Sequence, residues 1–235
     1  MLFLKFGKKE HLQQLKDGIV HFRPLSSFVE DATCFRGDRL EGRLLIDLSH
    51  PFLVNGVDFR PYVKEVISSY VGLESILSFS AAMLDYNNCH ATEDGLFTPN
   101  DDFIAEMQQF GSYFLVFSAD DFILAINEAI QGRKAHYMYR PICYCDKTDS
   151  PGVTKYFETI RNQGTTPRPY DNCFLKDRTP YFKQNEWRVI IDDIANEFPV
   201  GDNGGVNIQT AFRTAMPIFE TPLLKTLFMS EEYLK

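Results

Sequence analysis

Long apolar runs are missing from this chain. None approaches the roughly 20 residues that a membrane-crossing helix needs. The opening, Met1 to Phe6, has neither the basic n-region nor the extended apolar stretch of a secretory signal. A soluble, cytoplasmic protein with no membrane partner is therefore the expectation. Tryptophan is nearly absent too: Trp187 stands alone beside 21 Phe and 11 Tyr. That aromatic content points to a well-filled interior and argues against a disordered chain. Cysteine is sparse and odd in number. Cys34, Cys89, Cys143, Cys145 and Cys173 are scattered, as thiols in a reducing compartment would be. A zinc site usually declares itself with two closely spaced ligand pairs. Only Cys143-x-Cys145 and the adjacent Cys89-His90 are present, so no metal is expected. Repeats, low-complexity tracts and a steady β-α-β rhythm are lacking as well, which sets aside solenoids and doubly wound sheets.

Charge is present but uneven. The net charge of −8 conceals two basic segments, +2 over residues 1–43 and +5 over 131–188. Between and after them lie −11 over 44–130 and −4 over 189–235. Basic segments on an acidic background suit an anion-binding cleft. Ordinary solvated charge accounts for most of the individual residues.

The chain opens with an alternating strand, Leu2 to Phe6, and a short amphipathic helix with Leu12 and Leu15 on one face, stopped by Gly18. A second strand, Ile19 to Arg23, follows. Residues Leu25 to Arg43 form a long charged loop, the kind that often carries function. Short strands and turns are expected over 44–71, and Ser75 to Leu84 fits either a buried strand or a helix. Tyr86 to Asn100 is polar loop. Helices follow at Asp101 to Phe110, capped by Asn100, and at Asp120 to Gln131. Strands are expected at Ser112 to Phe117 and Ala135 to Cys145, a helix at Val153 to Arg161, and loop to Asp171. Gly201 to Gly205 lacks the Lys-Ser/Thr of a phosphate loop. The class is α+β, as one domain over residues 1–235.

The chemistry concentrates at Tyr181 to Ile191, where an apolar, β-branched run is preceded by polar residues. On a strand Gln184 and Glu186 would share a face and bring an amide beside a carboxylate. Elsewhere, His11, His21, His50, His90 and His136 yield no Ser-His-Asp or Cys-His set. Asp38 and Glu41 fit a cation site or, more simply, a charged surface loop.

Three features together resemble the layout of ADP-ribosyltransferases: the strand-helix-strand opening, the Phe22-Arg23-Pro24-Leu25-Ser26-Ser27-Phe28 segment and Gln184-x-Glu186 running into a strand. The chain is also similar to a broad group of uncharacterised prokaryotic and prophage proteins. Lys5-Phe6, Asp38-Arg39-Leu40-Glu41-Gly42 and Glu186-Trp187-Arg188 carry that second likeness. The first implies a mixed, largely antiparallel and split sheet with flanking helices, and NAD as substrate. A toxin or defence effector acting on a protein or nucleic-acid acceptor would follow.

Under that likeness Glu186 stabilises the sugar cation formed as nicotinamide leaves, and Gln184 orients the acceptor. Tyr181 stacks on the substrate. Lys5, Arg23 or Arg36 holds the pyrophosphate, with Ser26 or Ser27 donating a hydrogen bond and His21 compensating from the second strand. The first strand departs from the family by offering Lys5, a point charge where a planar fork is usual. Two other classes stay open. One is a nucleic-acid binder using the tyrosine-rich basic segment Arg133 to Arg188; the other is a non-catalytic interaction protein of a phage or mobile element.

Overall fold

The computed structural model describes residues 1–29, 37–69, 72–146, 150–193, 195–201, 204–214 and 216–234. Contacts group the chain into two compact units. The first comprises Met1–Pro24, Ser75–Pro141 and Phe182–Lys235, and the second Leu25–Glu74 and Ile142–Tyr181. The fold is α+β with a mostly antiparallel sheet, and the α+β class is the one that the mixed order of strands and helices suggested.

The first unit is built on eight strands: β1 (Leu2–Gly7), β2 (Ile19–Pro24), β3 (Ile76–Met83), β4 (Tyr113–Ser118), β5 (His136–Pro141), β6 (Glu186–Asp192), β7 (Val206–Gln209) and β8 (Ile218–Glu220). They pair in the order β5-β6-β3-β1-β4-β8, and β2 joins β3 to β7. Every pairing in this sheet is antiparallel. Strand β3 lies at a fork: β1 pairs with its Ala82 and Met83, β2 with its Leu77 and Ser78. The residues between, Phe79 to Ala81, have no register partner in either strand.

Pleating divides the sheet into two faces. On one lie Phe3, Val20, Phe22, Phe79, Phe117 and Trp187, buried with Leu12 and Leu15 of helix α1 (Lys9–Lys16) and with Phe122 and Ile126 of helix α3 (Ala119–Ile130). Phe122 is wholly buried and packs on Phe79, Phe117 and Trp187. Side chains of that size contribute about 1.5–3 kcal/mol each on burial. On the other face Leu4, Ala82, Leu84 and Phe114 meet Phe103 and Met107 of helix α2 (Asp101–Met107).

Local signals set the helix ends. Asn100 Oδ1 accepts from the Phe103 N–H at 2.9 Å, and Asp101 and Asp102 complement the helix dipole in the first turn. Ser118 caps α3 in the same way, with Asp120 and Asp121 behind it.

Two expectations need correction. Ala135 to Cys145 is two strands, because Pro141 removes a ladder N–H and Ile142 interrupts the pattern. Its second half, Cys143–Cys145, belongs to the second unit and pairs in parallel with Leu175–Asp177. Tyr86 to Asn100 is no mere loop, since Cys89–Ala91 and Phe97–Pro99 form a hairpin.

The second unit holds that parallel pair, the antiparallel pairs Arg43–Leu45 with Ile67–Ser69 and Leu53–Val54 with Val57–Asp58, and helix α4 (Ser150–Asn162). Among the described residues no helix is long and apolar enough to cross a membrane.

Candidate functional site

Glu186 opens β6, and the backbone just before it is unusual. Asn185 has φ of 44°, in the left-handed region that Asn tolerates better than most residues. Its amide Nδ2 donates to the Met83 carbonyl at 2.7 Å, while the Met83 N–H donates to the Asn185 carbonyl at 2.9 Å. This clamp to the end of β3 fixes where strand alternation begins. Gln184 therefore stands outside the strand, in a 3-10 turn (Phe182–Gln184), and the expected shared face with Glu186 does not form. The Gln184 side chain is buried, and its Nε2 donates to Glu106 Oε1 of α2 at 3.4 Å.

Glu186 itself is buried. Its Oε1 accepts from Arg188 Nε at 2.9 Å and Nη2 at 2.7 Å, and also from the Ser80 hydroxyl. Arg188 is only 2% exposed, so the pair is withdrawn from water. Charge-assisted bonds from a guanidinium hold a carboxylate in one orientation.

Register shows what else shares this face. Glu186 lies opposite Ala82 and Arg188 opposite Ser80. Arg23 of β2 lies opposite Ser78, and Arg140 of β5 directly opposite Arg188. Arg23, Arg140 and Arg188 thus stand on one sheet face with two carboxylates, Glu186 and Asp192. Like charges directly opposite one another on adjacent strands are unfavourable unless anions offset them. Ser78 lies among these residues, 3% exposed, with its hydroxyl making no hydrogen bond among the described residues.

Lys5 comes from the opposite face. It shares a face with Phe3, whose register partner is Met83, and its Nζ lies 4.4 Å from the Phe79 ring. The ammonium donates to the Ser80 carbonyl at the fork. Lys5 and Glu186 therefore meet the same residue, Ser80, through its backbone and its hydroxyl respectively.

The remaining expected residues are dispersed. His21 shares Arg23's face, with its Nδ1 2.8 Å from Asn207 Oδ1. A Cβ at Gly205 would come within 2.3 Å of its ring, so the imidazole is packed into the sheet edge. Ser26 and Ser27 belong to the second unit, half-buried in the short helix Ser26–Val29. Tyr181 is in the second unit as well and is buried. Its hydroxyl donates to the Gly37 carbonyl and Lys176 Nζ lies 4.5 Å from its ring, so it offers no open stacking surface. Arg36 lies outside the described residues.

Asp38 and Glu41 are also buried, at 5% and 1% exposure, where a surface loop was one expectation. Asp38 Oδ1 accepts from the Leu40 N–H at 2.8 Å. Among the described residues no group of three or more His, Cys, Asp or Glu is disposed to hold a metal ion.

Sequence reasoning missed Ser80 and Arg140. The alternation Leu77-Ser78-Phe79-Ser80-Ala81 was the available signal, but it was left ambiguous between helix and strand. Arg140 was submerged in a segment treated only as basic. No family model matches the chain, and neither a curated protein nor a solved structure does.

Proposed function

We propose that this chain is an ADP-ribosyltransferase-like enzyme that cleaves NAD and passes ADP-ribose to a protein or nucleic-acid acceptor. The observation that carries the reading is the buried carboxylate of Glu186, oriented by Arg188 and Ser80 on a sheet face that also bears Arg23 and Arg140. Loss of nicotinamide leaves positive charge on the ribose, which a fixed carboxylate stabilises in the transition state. Guanidinium groups suit a pyrophosphate because their planar donors match its oxygens.

The roles differ from those the sequence suggested. Arg23, one of the three residues offered for the pyrophosphate, keeps that part and is joined by Arg140, while Lys5 serves the sheet from the other face. Arg188 is a positioning residue that sets the direction of the Glu186 carboxylate. Gln184, turned toward Glu106, is not required for the sugar chemistry in this arrangement.

The test is to incubate the purified chain with NAD labelled in its adenylate part, with and without cell lysate, and to follow both nicotinamide release and label transfer. Wild type is expected to release nicotinamide and label a macromolecule. Glu186→Gln should lose both while keeping its circular dichroism, with a melting temperature lowered by less than in Arg188→Met. NAD binding should weaken in Arg23→Gln and in Arg140→Gln. No binding of NAD at saturating concentration, or full turnover by Glu186→Gln, would overturn the proposal.

A further inference from the structure

Strand β5 ends the sheet of the first unit, and β6 is its one partner there. Which of its backbone groups point outward follows from β6. Just beyond either end of the β6–β3 ladder, the Met83 N–H donates to the Asn185 carbonyl at 2.9 Å and the Asp193 N–H to the Ser75 carbonyl at 3.1 Å. Backbone groups of an antiparallel strand bond alternately to one side and the other. Trp187, Val189 and Ile191 therefore bond toward β3, and Arg188, Ile190 and Asp192 toward β5. Their register partners Arg140, Met138 and His136 bond inward, so the N–H and carbonyl groups of Tyr137 and Tyr139 point away from β6 in the plane of the sheet. Among the described residues neither tyrosine makes a backbone hydrogen bond on that side.

The edge is regular and open. Its register with β6 runs unbroken from His136 to Pro141, so no bulge twists it aside. No residue of β5 is buried, and His136, Tyr139 and Pro141 are exposed. The two faces of the strand differ. Tyr137 and Tyr139 stack at 6.1 Å on one of them, where Tyr139, 42% exposed, also packs on Trp187. His136, Met138 and Arg140 lie on the other, and the exposed Arg133 and Lys134 lead into the strand. Arg133 Nη1 donates to the Glu197 carbonyl at 3.3 Å. Asp192, opposite His136, is the one acid in register with β5, and the Ser75 hydroxyl donates to it at 3.4 Å.

We infer that this edge takes up an extended, acidic segment of a partner protein as an added strand. An unpaired edge offers main-chain bonds to any extended chain, and the side chains beside it choose among them. Acids at alternate positions of the segment lie along Lys134, His136 and Arg140, and β-branched residues between them cover the two tyrosine rings. A second copy adding through the same edge would bring its own cations alongside these. Nucleic acid has no strand backbone to answer the N–H and carbonyl pairs of Tyr137 and Tyr139. This docking requires no turnover of NAD.

The test uses the full chain and three synthetic peptides of equal length: alternating Glu and Val, alternating Lys and Val, and the Glu/Val peptide with its backbone nitrogens methylated. Fluorescence anisotropy should show the Glu/Val peptide binding at least about tenfold more tightly than the other two. Its affinity should fall as salt is raised. Amide exchange followed by NMR reads the edge directly. The Tyr137 and Tyr139 N–H groups should exchange freely in the chain alone and slow by at least about tenfold with Glu/Val peptide, while Met138, already bonded to β6, changes little. Tyr139→Pro removes an outward N–H and should weaken the Glu/Val peptide more than Tyr139→Ala does. Lys134→Glu should weaken it as well. Circular dichroism checks that the variants fold, and the methylated peptide and the exchange measurement need no variant. Slow exchange at Tyr137 and Tyr139 in the chain alone would overturn the inference. So would absence of Glu/Val binding, equal affinity for the methylated or the Lys/Val peptide, or sedimentation showing two copies paired through β5.

Discussion

Arg188 donates twice to a single oxygen of Glu186, from two positions along the same strand, and both side chains are buried. Removing the cation leaves a buried carboxylate without its guanidinium. Arg188→Met should therefore destabilise the fold by about 3–5 kcal/mol. Glu186→Gln keeps an acceptor for Arg188 and Ser80 and should cost clearly less. Urea unfolding of both variants checks the order, and it also separates structural loss from chemical loss at this carboxylate.

Asp121 ties the start of α3 to the chain that follows β7. Burial raises its pKa, but the Thr214 hydroxyl and the N–H groups of Thr214 and Arg213 outweigh this and hold it below its ordinary 3.8. A depressed carboxylate contributes stability above its unfolded pKa and loses it as pH falls through the folded value. Melting temperature should therefore drop more steeply for wild type than for Asp121→Asn as pH is lowered below about 4. At neutral pH Asp121→Ala should cost roughly 1–3 kcal/mol by leaving several donors without their acceptor.

The thiols of Cys89 and Cys143 are poor nucleophiles. Burial, aided by Asp85, pushes Cys89 up to about 12. Burial also raises Cys143 against the opposing effect of Arg178. Iodoacetamide should modify these two positions slowly in the native protein at about pH 8 and rapidly in denaturant, as peptide mapping would show. Rapid native labelling of Cys89 would contradict the burial described above.

Gly42 closes the Asp38-to-Gly42 segment with φ of 65°, and a Cβ there would stand 2.6 Å from Leu73 Cδ1 and 3.0 Å from Leu25 Cδ2. Both the backbone conformation and the space exclude a larger residue. Gly42→Ala should lose more than about 1 kcal/mol in chemical denaturation.

Regular elements were legible because their signals are local. Leu12 and Leu15 on α1, Asn100 before α2 and the alternation of β1 and β2 each specify themselves. The strand assignment of Ile76 to Met83 was left open, because the alternation runs only from Leu77 to Ala81 and the strand, buried on both faces, is apolar at either end of it. At the site, Glu186 was visible as an acid opening an apolar run, and its pairing with Arg188 follows from a two-residue spacing. The face it occupies was not legible, because faces are set by register, and register depends on where Asn185 turns the chain. Arg140 could not be placed opposite Arg188 until β5 was known to pair with β6.

The fork in the sheet has a dynamic consequence. Over Phe79 to Ala81, one side of β3 has no register partner in β1 or β2, and there the Ser80 carbonyl is held by the Lys5 ammonium. A tether through a flexible side chain opens more readily than a ladder of amides. Deuterium uptake should therefore begin at this interior seam, and Lys5→Met should accelerate it there without hastening exchange along the β5–β6 edge.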